Sequence, residues 1–174
     1  MIAGNGDIVV TRRQAHFLGR RFPCAIGRAG FCAHKREGDG TTPIGIFRIL
    51  GALFRPDRFN GGILPGASPI GFRDIWSDDP SDTAYNQLLP GAHPYPKGHE
   101  RLSRPDPLYD LILPIDYNWP DPVPGKGSAI FLHRWRSPHH PTEGCVAFAF
   151  TDLIWIAARV TSRTRLIVGT GAVR

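Results

Sequence analysis

A histidine and a cysteine that together can perform acyl transfer lie close together in the C-terminal half of the chain. His133 ends the apolar segment 130–133, and Cys145 follows twelve residues later, directly after Gly144. A cysteine is a strong nucleophile only as its thiolate, and a neighbouring imidazole can take the proton. Gly144 allows close approach of a substrate, and its conformational freedom lets consecutive amides bind an oxyanion. The spacing therefore indicates a Cys145 nucleophile with His133 as its general base.

The same residues allow two other interpretations. Free cysteines are among the residues that are most often buried as inert apolar groups, so Cys145 can also belong to the core. His133, His139, His140 and Cys145 can together supply four zinc ligands, although their spacing matches no common zinc pattern. We predict no metal and no cofactor, and a zinc hydrolase remains the weaker alternative.

Three residues that directly follow the histidine are candidates for binding substrate. Arg134 and Arg136 carry guanidinium groups, which can hold a carboxylate through two parallel hydrogen bonds. Trp135 lies between them and can form a wall of the pocket or cover the core. We predict that all three contact substrate.

Short strands joined by turns are expected to position these residues. Of the 174 residues, 20 are glycine and 17 are proline, which favours many short strands over a helical bundle. The clear helix spans 153–160, with Thr151 or Asp152 as its N-cap. Apolar patterns predict strands at 7–11, 22–27, 44–50, 109–115, 128–133, 145–150 (or a lead-in to the helix) and 165–168. The fold class is mainly β, a sandwich or barrel with one helix after Cys145.

The length fits one domain, residues 1–174, with a long insertion at about 51–107. That segment is rich in proline and glycine and has little periodicity. A long irregular segment inside a compact domain is usually functional or flexible. The sequence does not determine the oligomeric state.

Charge and hydropathy exclude several classes of protein. Lys and Arg number 21 against 15 Asp and Glu, but the excess forms no basic stripe and no nucleic-acid motif is present. No apolar stretch is long enough to span a membrane. The three cysteines are an odd number, unlike a secreted disulfide framework. Because no signal peptide is visible, we expect a cytoplasmic protein, or a periplasmic one if a leader has been removed.

Three sets of residues resemble the L,D-transpeptidase catalytic domain family, also called the YkuD domain. Its active-site pattern is an apolar strand that ends in His, followed by a loop and Ser/Thr-x-Gly-Cys with Val or Ile; here these are His133 and 142–146. Residues 38–47 resemble the family's T-P-x-G-x-F segment. Tyr109-Asp110, followed by Asn118, resembles a subset of members. The likeness covers about residues 7–168.

The resemblance implies a β-sandwich-like enzyme that acts on peptidoglycan stem peptides or murein fragments. Cys145 would attack the carbonyl of the L-centre of diaminopimelate in a tetrapeptide stem, release D-Ala and form a thioester. His133 would be the base and then the acid, with a backbone carbonyl of the 134–142 loop fixing its tautomer. Amides near Gly144 and Cys145 would hold the oxyanion. Thr142 and Glu143 of the motif are expected to contact substrate.

The acyl acceptor decides which activity the resemblance implies. An amine from a second stem would make the enzyme an L,D-transpeptidase, whereas water would make it an L,D-carboxypeptidase, which suits murein recycling in the cytoplasm. A carboxylate beside the sulfur would disfavour the thiolate, so we expect Glu143 to face away or to pair with an arginine.

This sequence departs from the family's usual residues at three positions, Arg134, Glu143 and Ala147. The family usually has Gly after the histidine, His or Lys before Gly-Cys, and Arg or Asn two residues after the cysteine. These departures favour an alternative function, a non-catalytic module that binds cell-wall fragments.

Overall fold

The computed structural model describes residues 3–60, 64, 66–91, 94–95 and 97–169. Within them the chain forms short strands, the helix α1 (Phe150–Ala157) and a 3₁₀ turn at Pro107–Tyr109. The strands are β1 (Ile8–Val10), β2 (Gln14–Phe17), β3 (Arg20–Ala25), β4 (Phe31–Cys32), β5 (Thr42–Pro43), β6 (Gly45–Arg48), β7 (Leu53–Phe54), β8 (Ser68–Pro69), β9 (Ile75–Ser77), β10 (Leu88–Leu89), β11 (His99–Arg101), β12 (Leu111–Pro114), β13 (Phe131–Arg134), β14 (Val146–Phe148) and β15 (Arg165–Val168).

Ten of these strands form one curled sheet in the order β6-β15-β1-β2-β3-β14-β13-β12-β7-β8. The sheet curls into a half-barrel, and Ile49, next to β6, forms a bridge with Ile115, which follows β12. The strands β10-β9-β11 form a separate small sheet, and β4 pairs with β5. The prediction of a mainly β fold with one helix after Cys145 is confirmed.

The central strands of the curled sheet are covered on both faces. Leu132 of β13 packs into a core that includes Leu153 of α1. Its neighbour Phe131 points to the opposite face and packs with Trp76 and Leu102 of the 51–107 segment. Because successive side chains of a strand alternate between faces, the buried residues 131–133 of β13 face two different surroundings, and Arg134 at its end is half-buried.

The helix begins earlier than the sequence suggests. Its N-cap is Ala149, which makes no side-chain capping bond, so the prediction of Thr151 or Asp152 as the cap is wrong. The chain leaves β14 in extended conformation and turns directly into the helix at Phe150, whose ring packs against Phe59. Asp152 lies in the first turn, where a negative charge interacts favourably with the helix dipole. Among the described residues, no helix has the length and apolar character that a bilayer crossing requires.

The described part of the 51–107 segment is more ordered than predicted. It supplies β7 and β8 to the edge of the large sheet, and β9, β10 and β11 form the small one. These strands contain two or three residues each, too few for an alternating pattern to be visible in the sequence. The small sheet covers the face of β12 and β13 that carries Phe131, with Leu102 fully buried between them.

Candidate active site

The register of two parallel strands brings Cys145 and His133 to the same face of the sheet. β13 pairs with β14 so that Leu132 lies beside Val146 and His133 beside Ala147. Cys145 directly precedes Val146 and therefore lies beside Phe131, two residues before His133. Because side chains repeat every two residues along a strand, Cys145, Phe131 and His133 share the face that is covered by the small sheet.

The Cys145 thiol is held by the backbone of neighbouring residues. Its Sγ donates to the carbonyl of Ala129 at 3.2 Å and accepts from the amide of Phe131 at 3.3 Å. The imidazole of His133 is not among its hydrogen-bond partners in this structure. Burial raises the pKa of the Cys145 thiol to about 12, while the Phe131 amide opposes that shift. Glu100 also raises this pKa, and Lys35 lowers it.

The ring of His133 is fixed by one short hydrogen bond. Its Nδ1 lies 2.6 Å from the carbonyl oxygen of Arg134, which can only accept, so Nδ1 carries the proton and Nε2 is the basic nitrogen. Arg134 is the last residue of β13 and the first of the 134–142 segment, in which a backbone carbonyl was expected to set the tautomer. The rings of Tyr109 and His133 pack edge-to-face, with centroids 5.5 Å apart. Burial lowers the pKa of His133 to about 4, and the bond to Arg134 partly opposes that shift.

These shifts make a neutral thiol and a neutral imidazole the resting pair near neutral pH. Desolvation is the largest cause for both groups, and it disfavours the thiolate of Cys145 as well as the imidazolium of His133. Burial therefore opposes a thiolate–imidazolium ion pair in the free protein. The arrangement is suited to a proton transfer that accompanies nucleophilic attack.

Two threonines shape the turn that carries the nucleophile. Thr142 Oγ1 donates to the carbonyl of Cys145 at 2.6 Å and accepts from the amide of Gly144 at 3.2 Å. Thr42 Oγ1 donates to the carbonyl of Gly144 at 2.8 Å and accepts from the amide of Gly27. The Gly144 amide, expected to bind an oxyanion, is therefore engaged within the turn in this state. The hydroxyl of Thr142, which was expected to contact substrate, is likewise hydrogen-bonded within the turn.

Gly144 cannot be replaced by another residue without strain. Its φ of +151° is rarely adopted by other residues, and a Cβ there would lie 2.9 Å from the carbonyl oxygen of Thr41. The bond from Thr42 and the close approach of Thr41 hold the turn against the segment that contains β5.

The thiol and the imidazole border a cleft of about 500 Å³. The other predicted site residues that line it are Trp135, Arg136, Thr142, Glu143 and Gly144. Arg134 lies elsewhere, because it follows His133 on the strand and its guanidinium lies over the ring of Phe150, 5.3 Å from the centroid. Its nearest carboxylate is Asp110, at 3.9 Å. The expectation that Arg134 contacts substrate does not fit this placement.

Glu143 lies at the rim of the cleft and is paired with an arginine. Both of its carboxylate oxygens accept from Nε of Arg28, at 2.9 and 3.0 Å. The pair is exposed, so it contributes little to stability. The expectation that an arginine would compensate Glu143 is confirmed.

The proposed zinc ligands do not assemble in the described residues. His139 Nδ1 lies 3.3 Å from the carbonyl oxygen of Cys24, and its ring packs against Trp135. Among the described residues, no group of three or more His, Cys, Asp or Glu side chains is placed to hold a metal ion.

The cleft also contains charged residues that the sequence analysis did not assign to the site. These residues are Lys35, Glu37, Asp78, Glu100 and Arg104. Burial and the negative charges of Glu100 and Glu37 raise the pKa of Asp78 to about 6. Most of these residues come from the 51–107 segment, whose short strands gave no periodic signal. From this segment the cleft receives the carboxyl groups of Asp78 and Glu100 and the guanidinium of Arg104, which lies 3.4 Å from Glu100.

Comparison with known families identifies the chain. The family model of the L,D-transpeptidase catalytic domain, YkuD, matches residues 8–168, nearly the whole length. The chain belongs to this family. A comparison with curated proteins gives no significant match. As a YkuD domain, the protein has a catalytic domain of the type that acts on peptidoglycan, and the cleft beside Cys145 is its candidate active site.

Proposed function

We propose that this YkuD domain transfers an acyl group from the L,D bond between diaminopimelate and D-Ala in tetrapeptide stems. The observation that carries the proposal is the position of Cys145 and His133 on one face of paired strands, where both border the same cleft. A nucleophile and a base with a free basic nitrogen are the minimum for acyl transfer through a covalent intermediate.

Proton transfer accompanies the attack on the scissile carbonyl. As the Cys145 sulfur bonds to the carbonyl carbon, Nε2 of His133 takes the thiol proton. The carbonyl oxygen becomes an oxyanion, for which we propose the backbone amide of Cys145 as a donor. When the tetrahedral intermediate collapses, the C–N bond breaks, and the nitrogen of D-Ala takes the proton from His133. The products are free D-Ala and a thioester on Cys145.

A second acceptor then regenerates the enzyme. Water or an amine attacks the thioester carbonyl, His133 takes a proton from that acceptor, and the Cys145 sulfur leaves and is reprotonated. Water yields a tripeptide, and an amine of another stem yields a crosslink. We propose hydrolysis if the protein acts in the cytoplasm, where recycled stems are the available substrate, and crosslinking if it acts in the periplasm.

The charges of the cleft suit a substrate that carries both amino and carboxylate groups. Glu100 and Asp78 lie on one side, and Arg136 and Arg104 also line the cleft. The distal centre of diaminopimelate has an ammonium and a carboxylate on one carbon. The carboxyl groups of Glu100 and Asp78 complement the ammonium, and the guanidinium of Arg136 complements the carboxylate.

Release of D-Ala from a disaccharide-tetrapeptide tests the proposal. We expect wild-type protein to convert this compound to the tripeptide, measured by mass spectrometry, and the Cys145→Ala variant to leave it intact. Cys32→Ala is the matched control, because this half-buried cysteine does not line the cleft. Equal D-Ala release by wild type and Cys145→Ala would reject the proposal. Repeating the incubation with an added amine acceptor separates hydrolysis from crosslinking.

A binding module for cell-wall fragments is the second candidate function. The observation that favours it is the hydrogen bond from the Cys145 thiol to Ala129 rather than to the imidazole of His133. This candidate predicts binding of the disaccharide-tetrapeptide without chemistry, as measured by calorimetry. A covalent mass increase on Cys145 after treatment with a carbapenem, which acylates nucleophiles, would exclude it.

A further inference from the structure

The side chain of Lys35 is buried and extends to the turn at Gly144 that precedes Cys145. The residue is buried, with 3% of its side chain exposed. Its stem packs against Gly127, where a Cβ would lie 2.8 Å from Cε of Lys35. Its ammonium lies beside Gly144, where a Cβ would lie 3.3 Å from Nζ. Side chains at these two positions would crowd the stem or the ammonium, so the glycines leave the space that Lys35 fills.

Asp39 holds the ammonium of Lys35 in this position. Its Oδ1 accepts from Nζ of Lys35 at 2.8 Å, and the same carboxylate accepts from the amides of Arg36 and Thr41 and from the Thr41 hydroxyl. These bonds and the ammonium lower the pKa of Asp39 far below its usual range, so the carboxylate stays charged. A buried cation, paired with Asp39, is thereby fixed beside Gly144, the residue that precedes Cys145. The mechanism proposed above assigns no role to this cation.

We propose that Lys35 is a positioning residue of the catalytic centre. Its fixed ammonium stabilises the negative charge that Cys145 acquires when its proton leaves. This inference rests on the proposed role of Cys145 as the nucleophile. Burial works against any negative charge on the sulfur, and a nearby fixed cation offsets part of that cost. The ammonium of Lys35 acts through the electric field that it creates at Cys145. Asp39 holds the ammonium in place before substrate arrives, so this field is already present when the thiol loses its proton.

Three other titratable groups that surround Cys145 carry no positive charge. Glu100 on β11 is negative and opposes the thiolate. Tyr109 in the 3₁₀ turn stays protonated, because burial raises its pKa well above the ordinary value. His133 on β13 is neutral at rest. The remaining charged residues that border the cleft are Glu37, Asp78, Arg104, Arg136 and Glu143. Of the cations, Lys35 is the one that packs against the residue preceding Cys145.

Alkylation of Cys145 by iodoacetamide measures this effect directly. The reagent is uncharged and reacts with thiolates, so below the thiol pKa its rate follows the thiolate fraction. We expect Lys35→Met, which keeps the stem and removes the charge, to slow alkylation about tenfold between pH 7 and 9.5. Lys35→Arg, which keeps the charge, should recover part of that loss. The exposed Lys126→Met is the control and should react as wild type does.

A variant with the opposite electrostatic change separates a charge effect from a structural one. Asp39→Asn removes the negative partner and leaves the ammonium, so alkylation should be as fast as in wild type or faster. Equal slowing by Lys35→Met and Asp39→Asn would instead indicate that the pair only holds the turn, and would overturn the proposal. A Lys35→Met rate equal to that of wild type would also overturn it. Peptide mass spectrometry separates Cys145 from Cys24 and Cys32.

The outcome is independent of the substrate. The rate of alkylation by iodoacetamide reports on the Cys145 thiol and needs no peptidoglycan, whereas D-Ala release reports on the proposed reaction. Slowed alkylation of Lys35→Met together with an absence of D-Ala release by wild type would support the role of Lys35 and reject the proposed substrate. Normal D-Ala release by wild type together with unchanged alkylation of Lys35→Met would support the proposed substrate and reject the role of Lys35.

Discussion

Burial determines the protonation state of His133, and this has a consequence for stability. Its pKa is lowered to about 4, from 6.5 for an exposed histidine. Because the folded-state value is the lower one, the unfolded chain binds the proton first as the pH falls. The contribution of His133 is therefore fully present above pH 6.5 and is lost progressively between pH 6.5 and 4.

We expect this loss to reach about 3 kcal/mol at pH 4, since each pKa unit corresponds to about 1.4 kcal/mol. Urea unfolding at pH 7, 5.5 and 4 measures it. His133→Asn keeps a side-chain N–H for the Arg134 carbonyl and removes the titration, so its free energy of unfolding should fall less steeply with decreasing pH. Parallel pH dependences of wild type and variant would show that His133 titrates normally.

Replacement of Gly144 should affect both stability and activity. Gly144→Ala places a Cβ 2.9 Å from Thr41 O at a φ of +151°, and we expect a loss of about 1–3 kcal/mol of unfolding free energy with a displaced Cys145. Gly51 has a similar φ of +143°, but nothing lies within 4 Å of its Cβ position. Gly51→Ala should therefore lose some stability and keep full D-Ala release, measured by thermal unfolding and product analysis. Full activity of Gly144→Ala would contradict this account of the turn.

At the scale of elements, the start of α1 offers a stabilising change. Ala149 is the N-cap with φ −57° and ψ 144°, and no side chain accepts from the first amides of the helix. Ala149→Asp supplies such an acceptor and a charge that interacts favourably with the helix dipole. We expect a gain of about 1 kcal/mol in the free energy of unfolding, measured in urea at pH 7. A loss would show that the Ala149 site cannot accommodate the carboxylate.

The small sheet should stabilise the cleft through the residues beneath it. Leu102 is fully buried in the cluster that also contains Phe131, directly beside Cys145 in the strand register. Leu102→Ala leaves a cavity there, and we expect a loss of about 2–5 kcal/mol of unfolding free energy together with reduced D-Ala release. Leu50, which is 37% exposed, is the control, and Leu50→Ala should cost much less. Equal costs for the two variants would show that the small sheet does not pack as described.

At the scale of the whole molecule, the sequence predicts the large sheet better than the part that covers it. The strands around His133 and Cys145 have apolar patterns long enough to recognise, and their order along the chain carries the family motif. β2 (Gln14–Phe17) is not predicted because its four residues contain only two apolar side chains, Ala15 and Phe17, too short a run for the alternation to stand out. The strands of the 51–107 segment were missed because two or three residues carry no period.

The candidate site shows the same division between local and long-range information. Cys145, His133 and the motif around Gly144 are adjacent in sequence or joined by one strand pair, so spacing predicts them. Lys35 and Glu100 reach the cleft through contacts between segments that are distant in the chain, which no local pattern encodes. The direction of Arg134 depends on the alternation of side chains along β13, and a position assigned one residue after the histidine falls on the opposite face.

Intact-protein mass spectrometry of an acid-quenched incubation with disaccharide-tetrapeptide tests the central claim most directly, because it detects the proposed covalent intermediate itself. We predict a mass increase equal to the disaccharide-tripeptide acyl group, located on the peptide that contains Cys145, in wild type and Cys32→Ala. Cys145→Ala should show no increase. D-Ala release without any adduct on Cys145, or an adduct that persists in Cys145→Ala, would contradict the account.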